Sequence, residues 1–224
     1  MKIGMIIAIE RELNSFLESG VGIRQETVGP WTVYHTTMHT HPILAVRSGA
    51  GEIDAAAATQ LLITWGGCQL ILNFGVAGAL VPGLRTQDLF LVRRACHYDY
   101  DVSAIDPLKR HQYQEYPDEF IPLDDRLIAL ARTALPSLRE TTVASGDRFV
   151  DQRQDKEALA ALGCQICDME IAAIARVCTL NHVPCLSVKC ISDPFEGDGG
   201  DFVQNVKTSA RKAFAALDQV IAKL

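Results

Sequence analysis

Lys2-Ile3-Gly4-Met5-Ile6-Ile7-Ala8-Ile9, followed at once by Glu10-Arg11-Glu12 (residues 2–12), is the stretch on which the fold turns. An apolar run without alternation reads as a strand buried on both faces, and such a strand belongs to a sheet covered by helices. The acidic residues after it open a helix over residues 10–17, because the helix dipole favours carboxylates near an N-terminus. The same grammar repeats downstream. Strands are predicted at residues 31–39, 42–47, 69–74, 88–94, 141–145, 165–167 and 184–191, and helices at 52–64, 124–135, 155–162, 169–180 and 201–224. Ser48-Gly49-Ala50-Gly51 and Gly75-Val76-Ala77-Gly78 read as turns, residues 97–102 as an extended segment, and the proline-marked stretch 107–122 as a surface loop. This alternation predicts an α/β fold in a single domain over residues 1–224, with a mixed, mostly parallel central sheet flanked by helices.

Composition narrows the functional classes. A chain of 224 residues, 48% hydrophobic and 21% charged, is large enough to bury a core without staples. A net charge of -6 and the lack of any Lys/Arg-rich run argue against a nucleic-acid partner. Seven cysteines, an odd number, sit among apolar neighbours, as at Cys178, Cys185 and Cys190. Buried free thiols in a reducing, cytoplasmic setting are expected. The N-terminal apolar run is too short and too quickly acidic for a signal peptide, and no apolar stretch is long enough to span a bilayer. A soluble protein with no membrane partner is the expectation.

Ligands of such sheets bind beyond the carboxyl ends of the strands. Six predicted strand ends therefore matter: Glu10 with Glu12, the Gly49/Gly51 turn, the Gly75/Gly78 turn, Gly146-Asp147, Asp168-Met169-Glu170 and Ser192-Asp193. Four of the six carry carboxylates. Each also has a plain structural reading. Glu10 and Glu12 suit a helix first turn, although a carboxylate there can also take a proton from water. Asp168 suits a helix cap. Glu170 opens a helix with little polar surface, so it is expected to be buried and to need partners, which two vicinal ribose hydroxyls would supply. Pro194 fixes the chain's exit from Asp193. The following Glu196-Gly197-Asp198-Gly199-Gly200-Asp201 lacks the ligand spacing of a calcium loop and reads as a flap ending in an Asp201 helix cap. Gly49-x-Gly51 is followed by Asp54 where a dinucleotide fingerprint needs glycine. Cys164-x-x-Cys167 has no second pair, and His97-Tyr98-Asp99-Tyr100-Asp101 places three candidate ligands on one strand face without a fourth. No cofactor and no metal are expected.

Seven segments, in order along nearly the whole chain, resemble the nucleoside phosphorylase superfamily and, within it, the 5′-methylthioadenosine/S-adenosylhomocysteine nucleosidases. They are the Lys2-Ile3-Gly4 to Glu12 stretch, Ser48-Gly49-Ala50-Gly51, Asn73-Phe74-Gly75-Val76-Ala77-Gly78, His97-Tyr98-Asp99-x-Asp101-Val102, Ser145-Gly146-Asp147-x-Phe149, Asp168-Met169-Glu170 and Ile191-Ser192-Asp193. The resemblance implies a nucleoside as small-molecule partner, water as second substrate, and a homodimer. It implies that Asp193 protonates adenine N7, steadied by Ser192, and that Glu12 activates the water with Lys189 nearby. Glu170 would hold the ribose 2′ and 3′ hydroxyls, with Met169 packing under the sugar. Phe149 would stack on adenine, and the Val150 backbone would read its edge. The 5′ group would lie against Ile9, Ala50, Val102, Ile105 and Phe202, partly across a subunit boundary.

Some positions depart from the family's pattern. Val76 stands where relatives carry a small hydroxyl residue, Asp168 replaces a glutamate, and Ala50 and Ile105 are smaller than the usual lining, which leads us to expect a wider 5′ pocket. Phosphate-using relatives carry an arginine just before the glycine segment, where this chain has Asn73-Phe74, and Arg11 is the only cation near its N-terminal loop. Water is therefore expected as nucleophile. A phosphorylase, a futalosine-type hydrolase and a non-catalytic nucleoside-binding protein are the alternatives.

Overall fold

The computed structural model describes residues 1–19 and 22–224. Its spine is β1 (Ile3–Ile7), buried at every position and hydrogen-bonded in parallel to β4 (His41–Arg47) on one side and β5 (Leu70–Ala79) on the other. The continuous apolar run at the N-terminus is thus explained, because no residue of β1 has a wet face. Outward from β4 run β3 (Trp31–Met38) and β2 (Arg24–Val28), both antiparallel, the latter absent from the sequence reading. Arg24-Gln25-Glu26-Thr27-Val28 is too polar to announce a strand, and it forms one because it is half-exposed beside β3.

On the other side the sheet curls. β5 pairs in parallel with β10 (Cys185–Asp193) and antiparallel with β9 (Ile166–Asp168). β10 pairs with β6 (Leu89–His97), β6 with β8 (Arg139–Ser145), and β8 with β9. These five strands close into a ring, with the short β7 (Ile121–Pro122) on the outside of β6. The sheet is mixed, parallel through β4, β1, β5 and β10. Helices α1 (Glu10–Ser19) and α6 (Gly199–Ile221) pack on each other, as do α2 (Glu52–Thr64) and α5 (Ile171–Leu180). Helices α3 (Asp125–Ala134) and α4 (Arg153–Ala161) complete the covering. None of the described helices is long and apolar enough to cross a membrane.

Several expected boundaries are corrected. Gly75-Val76-Ala77-Gly78 is not a turn: β5 runs straight through it, in register with β10. The extended segment expected at residues 97–102 ends at His97, after which the chain turns, so His97, Asp99 and Asp101 do not share a strand face. The surface loop expected at residues 107–122 contains buried Tyr116 and Phe120 and ends in β7. Asp198, not Asp201, caps α6: its carboxylate accepts from Gly200 N, while Asp201, at the third helical position, closes a capping box.

Candidate active site

A cavity of about 590 Å³, its open mouth included, lies where β1, β5, β9 and β10 reach their carboxyl ends. That is the size and place expected of a small-molecule site. Glu12, Glu170 and Asp193, the first far from the other two along the chain, all line it. Each is at most 6% exposed.

Glu12 leans from the first turn of α1 across the end of β5. Its Oε2 accepts from the amides of Ala8 and Ile9, both at 3.2 Å, and its Oε1 from Val76 N at 2.8 Å. Room for this comes from Gly75, where a Cβ would stand 2.5 Å from Oε1. Burial pushes the Glu12 carboxyl above its ordinary value, while Lys189 and the three amides hold it back. A desolvated carboxyl whose proton affinity is raised by burial, with a cation and amides to receive its charge, has the character of a general base.

Asp193 ends β10. Its Oδ1 accepts from Ser192 Oγ at 2.7 Å, and Ser192 Oγ also approaches Ala77 O at 3.4 Å. A Cβ on Gly78 would lie 2.6 Å from Asp193 Oδ2, so this glycine too is a clearance and not a turn. Burial raises the Asp193 pKa; Ser192 and Lys156 oppose the rise and Asp201 adds to it. The balance favours a protonated acid.

Between them lies a crowd of charges. Glu170 is the N-cap residue of α5, and its Oε1 accepts from Gly51 N at 3.1 Å. Burial, then the nearby Asp168, push its pKa up to about 8. Lys189 donates to Asp168 Oδ2 at 2.7 Å and is itself buried. Burial works to lower its pKa, but Asp168, Glu170 and Glu12 outweigh that and raise it. Asp168 also accepts from Ile171 N, at 3.3 Å, in the manner of a cap.

Of the remaining sequence candidates, Met169, Phe149, Val150, Ser192, Ile9 and Ala50 line the cavity, as do Val76 and Phe202. Phe149 and Phe202 meet edge to face with centroids 5.6 Å apart. Lys189 stands behind the wall, paired to Asp168. Val102 and Ile105 do not line the cavity of their own chain, and Ile105 is 83% exposed. Their turn carries them outward.

Four residues take places that the sequence analysis does not assign them. Asp147 takes the capping role at α2 that Gly51 cannot fill, accepting from Glu52 N at 2.7 Å. Gly51 must be glycine here, with φ of +110° and the Asp147 carboxylate 2.8 Å from where a Cβ would be. Glu52 is buried, accepting from Ser145 Oγ at 2.6 Å and Ala173 N at 2.5 Å. Cys167 lines the cavity beside Gly78, and like the other six cysteines it is buried and free. Lys156 is buried on α4, on the same helical face as Leu159 three residues on. A lysine at that spacing from an apolar residue was the available signal.

A family model described as the phosphorylase superfamily matches residues 2–222. The aminodeoxyfutalosine nucleosidase of Helicobacter pylori (strain J99) is 30% identical over 232 residues, spanning 100% of this chain and 99% of that protein. The 5′-methylthioadenosine/S-adenosylhomocysteine nucleosidase of Shewanella piezotolerans is 32% identical over 205 residues, 88% of each chain. Among solved structures, an aspartate-to-asparagine mutant of a Helicobacter pylori nucleosidase, with 5′-methylthioadenosine in its active site, superposes with a TM-score of 0.93 at 30% identity, covering 100% of this chain and 99% of that one.

Proposed function

The chain belongs to the phosphorylase superfamily and is a hydrolytic nucleosidase; from that premise we propose that it releases adenine from a 5′-substituted adenosine, such as 5′-methylthioadenosine or S-adenosylhomocysteine, with Asp193 as general acid and Glu12 as general base. The observation that carries the reading is the convergence of three buried carboxylates from α1, α5 and β10 on one cavity. Neutral Asp193 donates its proton to adenine N7 as the glycosidic electrons move onto the base. Positive charge grows on the sugar, and the surrounding carboxylates stabilise it more than they stabilise the ground state. Glu12 takes a proton from the water that attacks the anomeric carbon. Glu170, with one oxygen on Gly51 N, grips the vicinal hydroxyls. Solvent then resets both protons.

The Lys189 charge opposes the rise that burial causes at Glu12 and so favours its ionised form. Met169 underlies the sugar, Phe149 stacks on the base, and the Val150 backbone reads its edge. Ile9, Ala50 and Phe202 receive the 5′ group. Val102, half-buried, and Ile105, exposed on its own chain, enter this reading as contributions from a second copy in a homodimer. Water is favoured over phosphate because Arg148 is the one basic residue among those lining the cavity, and its guanidinium is 3.1 Å from Asp155. A phosphate dianion needs more.

The relative named for aminodeoxyfutalosine supports a second substrate on the same machinery. The test is a panel of 5′-methylthioadenosine, S-adenosylhomocysteine, aminodeoxyfutalosine and adenosine, assayed for free base with and without phosphate. Base release from one of the 5′-substituted members, independent of phosphate, is expected. A strict phosphate requirement, or preference for unsubstituted adenosine, overturns the reading.

A further inference from the structure

Lys156 is 0% exposed and yet is not paired to a carboxylate. Its ammonium donates instead to three backbone carbonyls: Pro194 O at 3.3 Å, Phe195 O at 2.9 Å and Gly197 O at 2.8 Å. A methionine or leucine would fill the same space beside Leu159 without the cost of dehydrating a charge. What the lysine adds is a fixed point around which four consecutive residues must wrap. The wrap is tight: Gly197 N donates back to Pro194 O at 2.8 Å, and a Cβ on Gly197 would meet Pro194 Cδ at 2.7 Å.

The position of this loop gives the clamp its meaning. Residues 194–197 begin where Asp193 ends, and they finish at Asp198, the cap of the helix that brings Phe202 to the cavity. One turn before Lys156, Arg153 reaches Glu196 at 3.5 Å and lies 5.4 Å from the Phe195 ring centre. Helix α4 itself is separated by two residues from Arg148-Phe149-Val150, which also line the cavity. Thus α4 joins the wall that would hold the base to the loop that follows the acid.

We propose that Lys156 is a positioning residue for the general acid: through the carbonyls of residues 194–197 it holds Asp193 at the distance from the bound base at which the proton can pass. This rests on the reading of Asp193 as the acid. Lys156 does not line the cavity and does not touch substrate. Its charge is also felt at Asp193, opposing the rise that burial causes, together with Ser192.

The test uses Lys156→Met and Lys156→Gln, the second keeping N–H donors without the charge. Three measurements are compared with the unmodified protein: kcat and KM on the best nucleoside of the panel, thermal melting, and hydrogen exchange of residues 194–198. Expected for Met is a kcat loss on the order of 10²-fold with KM within about threefold, since a small misplacement of a reacting group costs that much. Exchange should quicken in residues 194–198 while β1 and α1 stay protected, and Gln should recover part of the rate. If Met does not fold, Gln carries the test. A folded variant with kcat within about twofold of normal overturns the proposal. So does a parallel change in kcat and KM with uniformly faster exchange, or failure of both variants to fold, either of which makes Lys156 a general folding residue. Asp193→Asn separates the premise: adenine release at the normal rate there removes the acid itself, and the proposal with it. An inactive Asp193→Asn beside a fully active Lys156→Met removes the proposal alone.

Discussion

Two buried lysines lie outside the cavity lining, and their charges are met in different ways. Lys189 meets a carboxylate, Asp168, at 2.7 Å, and its charge is shared with Glu12 and Glu170. Lys156 meets only carbonyl oxygens. In the reaction proposed above, the two neighbouring carboxyls must do opposite things at one pH. A base has to be ionised although buried, and a cation within its own charge network secures that. An acid has to keep its proton, and Lys156 shapes the loop through carbonyl oxygens while burial still raises Asp193 against the pull of that charge. On that proposal, an ion pair near the base and carbonyl dipoles near the acid are what set the two buried carboxyls apart.

The largest effect that could break this contrast comes from removing each carboxyl in turn. Asp193→Asn and Glu12→Gln should each lower base release by roughly 10²–10⁴-fold while melting stays cooperative, the span ordinary for a lost acid or base. The pH profile tells the two sides apart. Activity should rise as Glu12 loses its proton and fall as Asp193 loses its own. Because burial raises Asp193, the falling limb should lie well above the ordinary aspartate value of about 3.9. The apparent values belong to the coupled set of carboxyls and not to single residues. A profile that already falls in the usual carboxylate range would contradict a protonated acid.

A sharper cut uses the glycines. Gly75→Ala would put a methyl 2.5 Å from Glu12 Oε1, and Gly78→Ala one 2.6 Å from Asp193 Oδ2. Each should displace its own carboxylate and leave the other in place. About 10- to 100-fold loss of rate is expected from either, by the cost of misplacing a reacting group. The acid limb of the profile should respond to Gly75→Ala and the alkaline limb to Gly78→Ala. Equal shifts of both limbs in both variants would show that the two seats are not separable.

These glycines also measure how much of the molecule was legible beforehand. Lys2 to Ile9 disclosed its strand because β1 is dry on both sides, and dryness leaves an uninterrupted apolar run. In the sequence Gly75 and Gly78 read as turn residues because backbone permissiveness is the usual reason for glycine. Here the reason is a distant carboxylate, a contact that spacing along the chain does not encode. Arg24 to Val28 is a strand only by virtue of its neighbour, so its own pattern was silent. The carboxylates Glu12, Glu170 and Asp193 stood out at strand ends, whereas Lys156 was hidden inside a short helix whose polar residues looked solvated. Val102 and Ile105, which the resemblance places at the 5′ group partly across a subunit boundary, do not line the cavity of their own chain.

The smallest effect concerns Glu52, a buried carboxyl outside the cavity. Its pKa rises from 4.5 to about 8, chiefly through burial, with the hydrogen bond from Ser145 pulling down and the Asp168 charge pushing up. In the folded protein Glu52 therefore binds a proton more tightly than in the unfolded chain. Stability linked to that proton is complete below about pH 4.5 and is lost as the pH rises through about 8. Glu52→Gln fixes the neutral form. With the amide turned toward Ser145 Oγ, its carbonyl can still accept from Ala173 N, so both contacts survive. The variant should match the unmodified protein at the acid end and exceed it by about 1–3 kcal/mol at the alkaline end, a melting-point gain of roughly 2–10 °C. Activity should change less than about twofold, since Glu52 meets no substrate in this reading. If instead the two melting curves run parallel across the whole range, Glu52 is ionised in the folded state. The tolerance for buried charge seen at Lys189 would then extend beyond the catalytic network to the helix that borders it.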